Sequence, residues 1–193
     1  MLDKLFGRER SELHTRHELG LLITEHLGHR ASELDDDEVE IIKGALQLSE
    51  KRVRDILKPI KQVYWLQPDA KINAKKIDEI KRLGWSRIPV FNKKLTTCYG
   101  VLLIKDMLDV NFDHDSIAVQ DLPLHGVEVV GSMTALDTFF RKFISGKVHL
   151  IPIEKNNKII GIVTIEDLLE EIVGHEIEDE TDRSKGRKLP RHT

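Results

Sequence analysis

Apolar residues recur at helical spacing along the first third of the chain. Four of them share one side of a short segment and predict a helix in a polar lead-in at 1–34: Leu19, Leu22, Ile23 and Leu27. An acidic run at 35–38 precedes a second apolar series that starts at Val39. Carboxylates favour the first turn of a helix because its N-terminus carries partial positive charge. We therefore predict a second helix, which Pro59 ends.

Beyond Pro59, short β-prone runs alternate with helical segments. The run 63–66 predicts a strand, and Asn73 is placed to cap a helix that ends at Gly84. The runs 87–91 and 98–104 predict two strands joined by a polar turn, and a short helix follows from Asp106 to Val110.

The same order of elements then returns. The run 127–130 predicts a strand, and Ser132 is placed to cap a helix that ends at Gly146. The runs 148–153 and 159–164 predict a hairpin. Four apolar residues predict the buried face of a closing helix: Leu168, Leu169, Ile172 and Val173. From Glu176 the chain is charged and poor in apolar residues, which predicts a disordered tail.

An internal repeat accounts for this order. The segment 84–88 aligns with 146–150 at an offset of 62, and 100–106 aligns with 161–167 at an offset of 61. This alignment removes one residue from the loop between them. A unit of about 60 residues buries too little apolar surface to be stable alone, so two units are expected to pack together.

These patterns predict an α/β (α+β) fold. Two β-α-β-β-α repeats would pack as a pseudo-two-fold pair behind an N-terminal helical lead-in. The predicted division is a polar helical lead-in at 1–34, an acidic linker helix region at 35–58, a first domain at 59–115, a second at 116–175 and a disordered charged tail at 176–193.

Composition and charge argue against several classes of function and several locations. The 30 basic and 33 acidic residues give a net charge of −3, which argues against a nucleic-acid partner. The single cysteine, Cys98, excludes an intrachain disulfide and fits a reducing compartment. The opening residues lack a signal-peptide core, and no stretch reaches the roughly 20 apolar residues of a membrane helix. We expect a cytoplasmic chain that does not cross a membrane by itself.

Catalysis and metal binding find little support. The sequence has no nucleophile elbow, no Walker A loop and no His-Glu-x-x-His, so we predict no catalytic residues and no enzyme. Two histidine pairs have i, i+3 spacing, His14 with His17 and His26 with His29. Without supporting carboxylates or thiols they predict no metal site. Five carboxylates near the end of the chain are expected to form mostly a solvated face: Glu166, Glu170, Glu171, Glu176 and Asp179.

The two repeats resemble paired CBS domains, often called a Bateman module. The residues that carry the resemblance are GWSRIPVF at 84–91, GVLLIKD at 100–106 and GIVTIEDLLEEIVG at 161–174. More narrowly, they resemble the module of the CorC and cyclin-M family of magnesium and cobalt transport proteins. The resemblance implies a regulatory unit that binds ATP or a related adenine nucleotide, with Mg²⁺ carried by the phosphates. It also implies a homodimer and a membrane transport protein as partner, which would place the chain at the cytosolic face of a membrane.

The resemblance implies a composite nucleotide site, which draws on both repeats. Carried over residue by residue, it comprises Trp85, Ser86, Arg87, Ile88, Thr164 and Asp167. The chemistry of these residues suits a nucleotide. Asp167 offers two oxygens to ribose hydroxyls, Thr164 and the following helix start offer donors to phosphate, and Arg87 offers a planar fork of donors. Trp85 and Ser86 would add an aromatic wall and a hydroxyl.

Each of these residues also has a plain structural interpretation, as a core aromatic, a surface arginine, a helix cap or a strand end. Lys58 departs from the family, in which a threonine usually precedes the proline. A lysine there would either block the pocket or reach a phosphate, and the sequence does not choose between them. A nucleotide-independent dimerisation scaffold with lost sites is therefore the alternative function.

The residues at the corresponding positions of the other repeat offer fewer groups that could bind a nucleotide. Leu103 stands in place of Thr164, and in the alignment above His149 stands in place of Arg87, whereas Asp106 remains. Histidine carries only part of a charge near neutral pH. We predict one competent nucleotide site per chain and a second, degenerate site with a mainly structural role.

Overall fold

The computed structural model describes residues 15–27, 34–107, 110, 112 and 116–174. The helices are α1 (Arg16–Leu27), α2 (Asp36–Gln47), α3 (Val53–Ile56), α4 (Ala74–Leu83), α5 (Leu136–Gly146) and α6 (Ile165–Val173). The strands are β1 (Lys58–Pro59), β2 (Lys71–Ile72), β3 (Arg87–Phe91), β4 (Cys98–Leu103), β5 (Ile117–Ala118), β6 (Leu124–His125), β7 (Val130–Gly131), β8 (Leu150–Lys155) and β9 (Lys158–Thr164). Short 3₁₀ turns span Ile60–Gln62, Ile104–Met107 and Val119–Asp121.

Two similar units confirm the predicted α/β class. In the first, α4 is followed by the antiparallel hairpin β3–β4 and the turn Ile104–Met107. In the second, α5 is followed by the antiparallel hairpin β8–β9 and α6. Each helix packs its apolar face on its own hairpin, which produces one core per unit. The helical lead-in is present as α1, which packs on α2.

Each unit lends a short strand to the sheet of the other. The strand β1, which precedes the first unit, pairs with β9, and β6, which precedes the second hairpin, pairs with β4. A glycine allows each close approach. A Cβ on Gly161 would lie 3.1 Å from the carbonyl carbon of Lys58, and a Cβ on Gly100 would lie 2.7 Å from the carbonyl oxygen of His125. Lys58 and His125 are therefore pseudo-equivalent.

The strand registers correct the alignment of the repeats. Pro89 pairs with Val101, and Pro152 pairs with Ile162 in the same place of the second hairpin. The offset is therefore 63 before the hairpin loop and 61 after it, so the second loop is shorter by two residues rather than one. The α4 helix ends in a left-handed residue at Gly84, and α5 ends in one at Lys147, which fits the offset of 63. The expected offset of 62 was wrong, because it matched Gly84 to Gly146 instead of to the αL position.

The corrected register changes two predicted equivalences. Leu150, and not His149, is the counterpart of Arg87, and His149 is the counterpart of Ser86. The equivalence of Leu103 with Thr164 is retained, since each closes its hairpin opposite the first residue of the preceding strand.

A third apolar cluster joins the two units. It brings buried residues of the first unit, Trp65, Phe91 and Val101, against Leu150 and Ile162 of the second. Burial at this interface supplies the apolar surface that each small unit lacks by itself. The two-stranded sheet β2–β5 adds a further link between the halves of the chain.

Several predicted boundaries shift, and the start of α5 shifts because hydrogen bonds to distant parts of the chain hold the backbone before it. The second helix ends at Gln47 rather than continuing toward Pro59. Ser132 does not cap α5, which begins after Ala135. Its amide donates to the carbonyl of Glu154, and its carbonyl accepts from Arg54, so the backbone at Ser132 is held extended.

Two strand predictions were too long. In the run 63–66 only Leu66 forms a bridge, with Val90, and the run 127–130 contributes only Val130 to β7.

The predicted buried face of α6 is only partly correct. Leu168 is fully buried, whereas Leu169 is 38% exposed, which contradicts its assignment to the core. Helical spacing places Leu169 at the edge of the stripe.

Helix α2 crosses α6 at close range through Gly44. A Cβ on Gly44 would lie 2.8 Å from the carbonyl carbon of Ile172 and 2.9 Å from its Cα. Beside this crossing, the Lys51 ammonium pairs with the Glu171 carboxylate, so part of the predicted solvated acidic face is engaged. The acidic start of α2 is confirmed as a capping box between Asp35 and Glu38.

Some predictions lie outside the described residues. These are the tail at 176–193, His14, His29 and the side chain of His26; His17 is exposed. The proposed domain boundaries also stay predictions. Within the described ranges, no helix is long and apolar enough to span a membrane.

Candidate functional site

Thr164 and Asp167 form a capping box at the start of α6. The Thr164 amide and hydroxyl both donate to Oδ2 of Asp167, at 2.7 Å and 2.8 Å. The Asp167 amide donates to the Thr164 hydroxyl at 3.3 Å. The pair forms because β9 ends at a residue whose side chain can satisfy the free amides of the first helical turn. Oδ1 of Asp167 takes part in none of these bonds, so one carboxylate oxygen is left for another donor.

Lys58 lies on the strand beside this cap. It pairs with Ile162 of β9, two residues before Thr164, and its side chain is exposed. Lys58 therefore lies on the strand next to β9, close in register to Thr164, whereas Asp167 lies in the first turn of α6.

Trp85, Ser86, Arg87 and Ile88 form a second group, at the end of α4 and the start of β3. Ile88 is fully buried in the core of the first unit. Ser86 is exposed and Arg87 is half-buried. Their position follows from the left-handed turn at Gly84, which ends α4 and directs the chain into β3.

The Trp85 ring packs in an aromatic stack. It lies parallel to Tyr64, with an interplanar angle of 7° and ring centroids 6.2 Å apart. Burial raises the pKa of Tyr64, although the Lys76 ammonium, 5.7 Å from its ring centroid, opposes the rise. The indole Nε1 of Trp85 is buried without a hydrogen-bond partner among the described residues. A buried donor left unpaired costs about 1–3 kcal/mol, which an acceptor on a ligand would offset.

A cavity of about 710 Å³ opens between the two units. Trp85, Ser86 and Arg87 line it, whereas Lys58, Ile88, Thr164 and Asp167 are not among the described lining residues. Asp167 instead lines a smaller cavity of about 500 Å³ between α2 and α6. The predicted set is thus divided between two places, and whether a ligand bridges them stays a prediction.

The cavity of about 710 Å³ lies at the positions that correspond, in the other repeat, to the predicted site around Thr164. Its walls are the segments 103–105, 125–127 and 146–150, together with Lys81 and residues 84–87 of the first unit. By the corrected register, the first three segments correspond to 164–166, to the strand around Lys58, and to 83–87. The part of the structure predicted to be mainly structural therefore contains the larger opening.

Sequence reasoning missed the basic residues of this cavity. Lys105 is the counterpart of Glu166 in the second unit, and His125 is the counterpart of Lys58. Lys147 occupies the left-handed position that corresponds to Gly84. No motif marks these residues, because they come together only through the strand exchange. The Ile-Pro pair in both hairpins was the available signal for the correct register.

No group of three or more metal-ligating side chains is found among the described residues. Asp106, the counterpart of Asp167, is held by His125, with Nε2 and Oδ2 2.6 Å apart.

Comparison with known proteins identifies the fold. The family model of the CBS domain matches residues 119–174. Protein MAM3 of Saccharomyces cerevisiae is 30% identical over 187 residues, which are 94% of this chain and 26% of MAM3. The CBS domain of a bacterial CNNM/CorC family Mg²⁺ transporter, solved with the inhibitor IGN95a, superposes with a TM-score of 0.73 at 26% identity. That alignment covers 86% of this chain and all of the bacterial one.

Residues 119–174 belong to the CBS-domain family, and over 86% of its length the chain is similar to the CBS domain of a CNNM/CorC family Mg²⁺ transporter.

The CBS domain of the bacterial CNNM/CorC transporter has also been solved with ATP. The chain aligns with that structure at a TM-score of 0.65 and 27% identity, over 72% of its own length and 98% of the other chain. The chain spans about a quarter of MAM3, so the activity of the whole relative is not carried over with the fold.

Proposed function

We propose that this CBS-domain pair binds an adenine nucleotide and thereby regulates a magnesium or cobalt transport protein. The observation that carries the proposal is the Thr164–Asp167 cap. It fixes a carboxylate and a hydroxyl together at a helix N-terminus, with Oδ1 of Asp167 left outside the capping bonds. The related module solved with ATP supports adenine nucleotide as the ligand class.

Different described residues would bind different parts of such a nucleotide. Asp167 would accept from the ribose hydroxyls, and the first amides of α6 would attract phosphate. Trp85 would offer its unpaired indole N–H, and Ser86 and Arg87 would bind from the first unit. Ile88 would support the base from the core, and Lys58 would approach the phosphates from β1. A Mg²⁺ ion would arrive with the nucleotide, held by phosphate oxygens and by water, because the described residues contain no group of three or more metal-ligating side chains.

The proposal also covers the oligomeric state and the location of the chain in the cell. We propose a homodimer of modules at the cytosolic face of a membrane, where the bound nucleotide would change the packing of the modules on a transport protein. The chain would act by binding and not by catalysis.

Calorimetric titration with AMP, ADP and ATP, each with and without Mg²⁺, tests the proposal. We expect Asp167→Asn to weaken ATP binding by about tenfold to a hundredfold, since hydrogen bonds to a charged group contribute about 1.5–3 kcal/mol. Thr164 remains the N-cap of α6 in this variant, and the asparagine side-chain oxygen can still accept from the Thr164 amide, so α6 should remain folded. Asp137→Asn is the matched control, because Asp137 also lies in the first turn of a helix, α5, but outside the predicted set.

A nucleotide-independent scaffold is the second candidate. The observation that favours it is that the Thr164 hydroxyl and Oδ2 of Asp167 already satisfy each other. Under this alternative no adenine nucleotide binds, and sedimentation gives the same dimer with and without ATP. Nucleotide binding that is equally strong in the wild type and in Asp167→Asn would also contradict the proposed site.

A further inference from the structure

Two arginines from different parts of the chain approach the same serine. Ser49 lies half-buried in the turn at 48–50, directly after α2. The guanidinium of Arg16, the first residue of α1, donates to the Ser49 hydroxyl. The guanidinium of Arg52 donates through Nη1 to the Ser49 carbonyl at 3.4 Å. Two positive charges therefore meet at one residue that carries a hydroxyl.

Neither guanidinium is neutralised by a carboxylate. The ion pairs formed by the described residues include neither Arg16 nor Arg52. Asp55 accepts from the backbone amide of Arg52 at 2.8 Å, and its other oxygen pairs with the Arg54 side chain at 3.4 Å. A guanidinium has five N–H donors in a planar fork that matches the oxygens of a phosphate group. Most of these donors remain for an anion at Ser49.

The Ser49 hydroxyl differs from those of other described serines. It accepts from an arginine and donates to no described residue, so a group attached to Oγ would break no bond made by its proton. The Ser145 hydroxyl donates to the Lys142 carbonyl at 3.4 Å, and Ser132 is buried. Ser49 is therefore suited to carry an esterified anion.

The two helix ends near Ser49 act on an anion in opposite directions. The end of α2 carries partial negative charge and disfavours it, whereas the start of α1 carries partial positive charge and favours it. The arginines decide between them, because a phosphate opposite such a pair gains charge-assisted hydrogen bonds.

Helix α1 is the element that such bonds would hold. It packs on α2, but none of its described side chains is buried, and Leu21 and Leu22 are 53% and 43% exposed. A helix of 12 residues with so little buried surface is only marginally stable in its docked position. The Arg16–Ser49 contact joins its start to the end of α2, so added bonds there would favour the docked position.

We propose that Ser49 is a phosphorylation site, and that its phosphate bridges Arg16 and Arg52 and fixes α1 on α2. A protein kinase would transfer the γ-phosphoryl group of ATP to Oγ of Ser49. The bond from the γ-phosphorus to the oxygen that leaves with ADP breaks, the Oγ–P bond forms, and the hydroxyl proton passes to a base of the kinase. The site is separate from the nucleotide site at Thr164 and Asp167, and its failure would leave that proposal intact.

Kinase treatment of the full chain tests whether Ser49 accepts phosphate. The chain is incubated with ATP, Mg²⁺ and a panel of serine/threonine protein kinases, and mass spectrometry locates the modified residues. We expect phosphate on Ser49 and its loss in Ser49→Ala. Ser145 is the internal reference, since it is an exposed serine near the end of α5. Phosphate on Ser145 without phosphate on Ser49, or phosphate on neither, would overturn the assignment.

Hydrogen exchange tests what the phosphate does. The chain with phosphate placed on Ser49 by genetic-code expansion is compared with the unmodified chain. We expect the amides of α1 to exchange about tenfold or more slowly, because charge-assisted hydrogen bonds hold the helix in place. The same phosphate should give no protection in Arg16→Gln, and full protection in Arg141→Gln, which removes an exposed arginine of α5. Unchanged or faster exchange in α1, or full protection in Arg16→Gln, would refute the bridge.

Discussion

The crossing of α2 on α6 makes a quantitative prediction for Gly44→Ala. The added methyl group would stand 2.8 Å from the carbonyl carbon of Ile172, which is inside van der Waals contact. The atoms that it meets belong to the backbone of α6, so no rotamer change relieves the contact and the helices must separate. Overpacking of this kind costs about 1–3 kcal/mol.

A second effect opposes the first. Gly44 lies inside α2, where alanine is favoured over glycine by about 1 kcal/mol. We therefore expect a net loss of up to about 2 kcal/mol in the free energy of unfolding, measured by urea denaturation and fitted to a two-state transition. The half-buried Lys51–Glu171 pair lies beside the crossing, and an ion pair that still contacts solvent adds little to the free energy of unfolding.

Gly20→Ala is the matched control. Gly20 lies inside α1, and a Cβ there would meet nothing within 4 Å. This variant should be neutral or gain up to about 1 kcal/mol from helix propensity alone. If Gly44→Ala were stabilised as much as Gly20→Ala, the close approach of α2 to α6 would be wrong, and with it the account of how α2 is held.

Three further variants or probes test the core, the cap and the cysteine. Phe139→Ala removes a fully buried ring in edge contact with Phe143 at 5.0 Å, and urea unfolding should show a loss of about 3–5 kcal/mol; a loss under 1 kcal/mol would contradict its place in the core. Thr164→Ala should lower stability by about 1 kcal/mol in thermal unfolding, whereas Thr164→Ser should retain it; equal losses would argue against the cap. Burial raises the pKa of the Cys98 thiol, so iodoacetamide should alkylate native Cys98 more slowly than the urea-unfolded chain at pH 8. Because the folded state holds this proton more tightly, the contribution of Cys98 to stability should be lost as the pH rises through the raised pKa; equal alkylation rates would refute the burial.

The element types could be predicted from the sequence, because they follow from local signals. The cap at Asn73, the left-handed glycine at Gly84 and the acidic start of α2 each depend on a few neighbouring residues, and all three are confirmed. The start of α5 was missed because the backbone before it is held by residues distant in sequence: the Ser132 amide donates to the Glu154 carbonyl, and the Arg54 amide donates to the Ser132 carbonyl.

The candidate site could be predicted only in part. Thr164 and Asp167 are close in sequence, so a motif reveals their pairing. The basic cavity is assembled from segments far apart in the chain, and its lysines carry no motif. The register of the repeats decided which residues correspond, and a shift of one residue changed the counterpart of Arg87 from His149 to Leu150.

The exchange of β1 and β6 between the two sheets has a consequence for how such a chain could be divided or recombined. A cut at the predicted boundary after residue 115 would remove β6 from the sheet that contains β4, and would remove β1 from the sheet that contains β9. Each half would then expose an unpaired edge and half of the apolar cluster around Phe91 and Leu150. The unit that can be inherited, fused or expressed is therefore the pair, and a single repeat produced alone is expected to recover its missing strand from a second copy of itself.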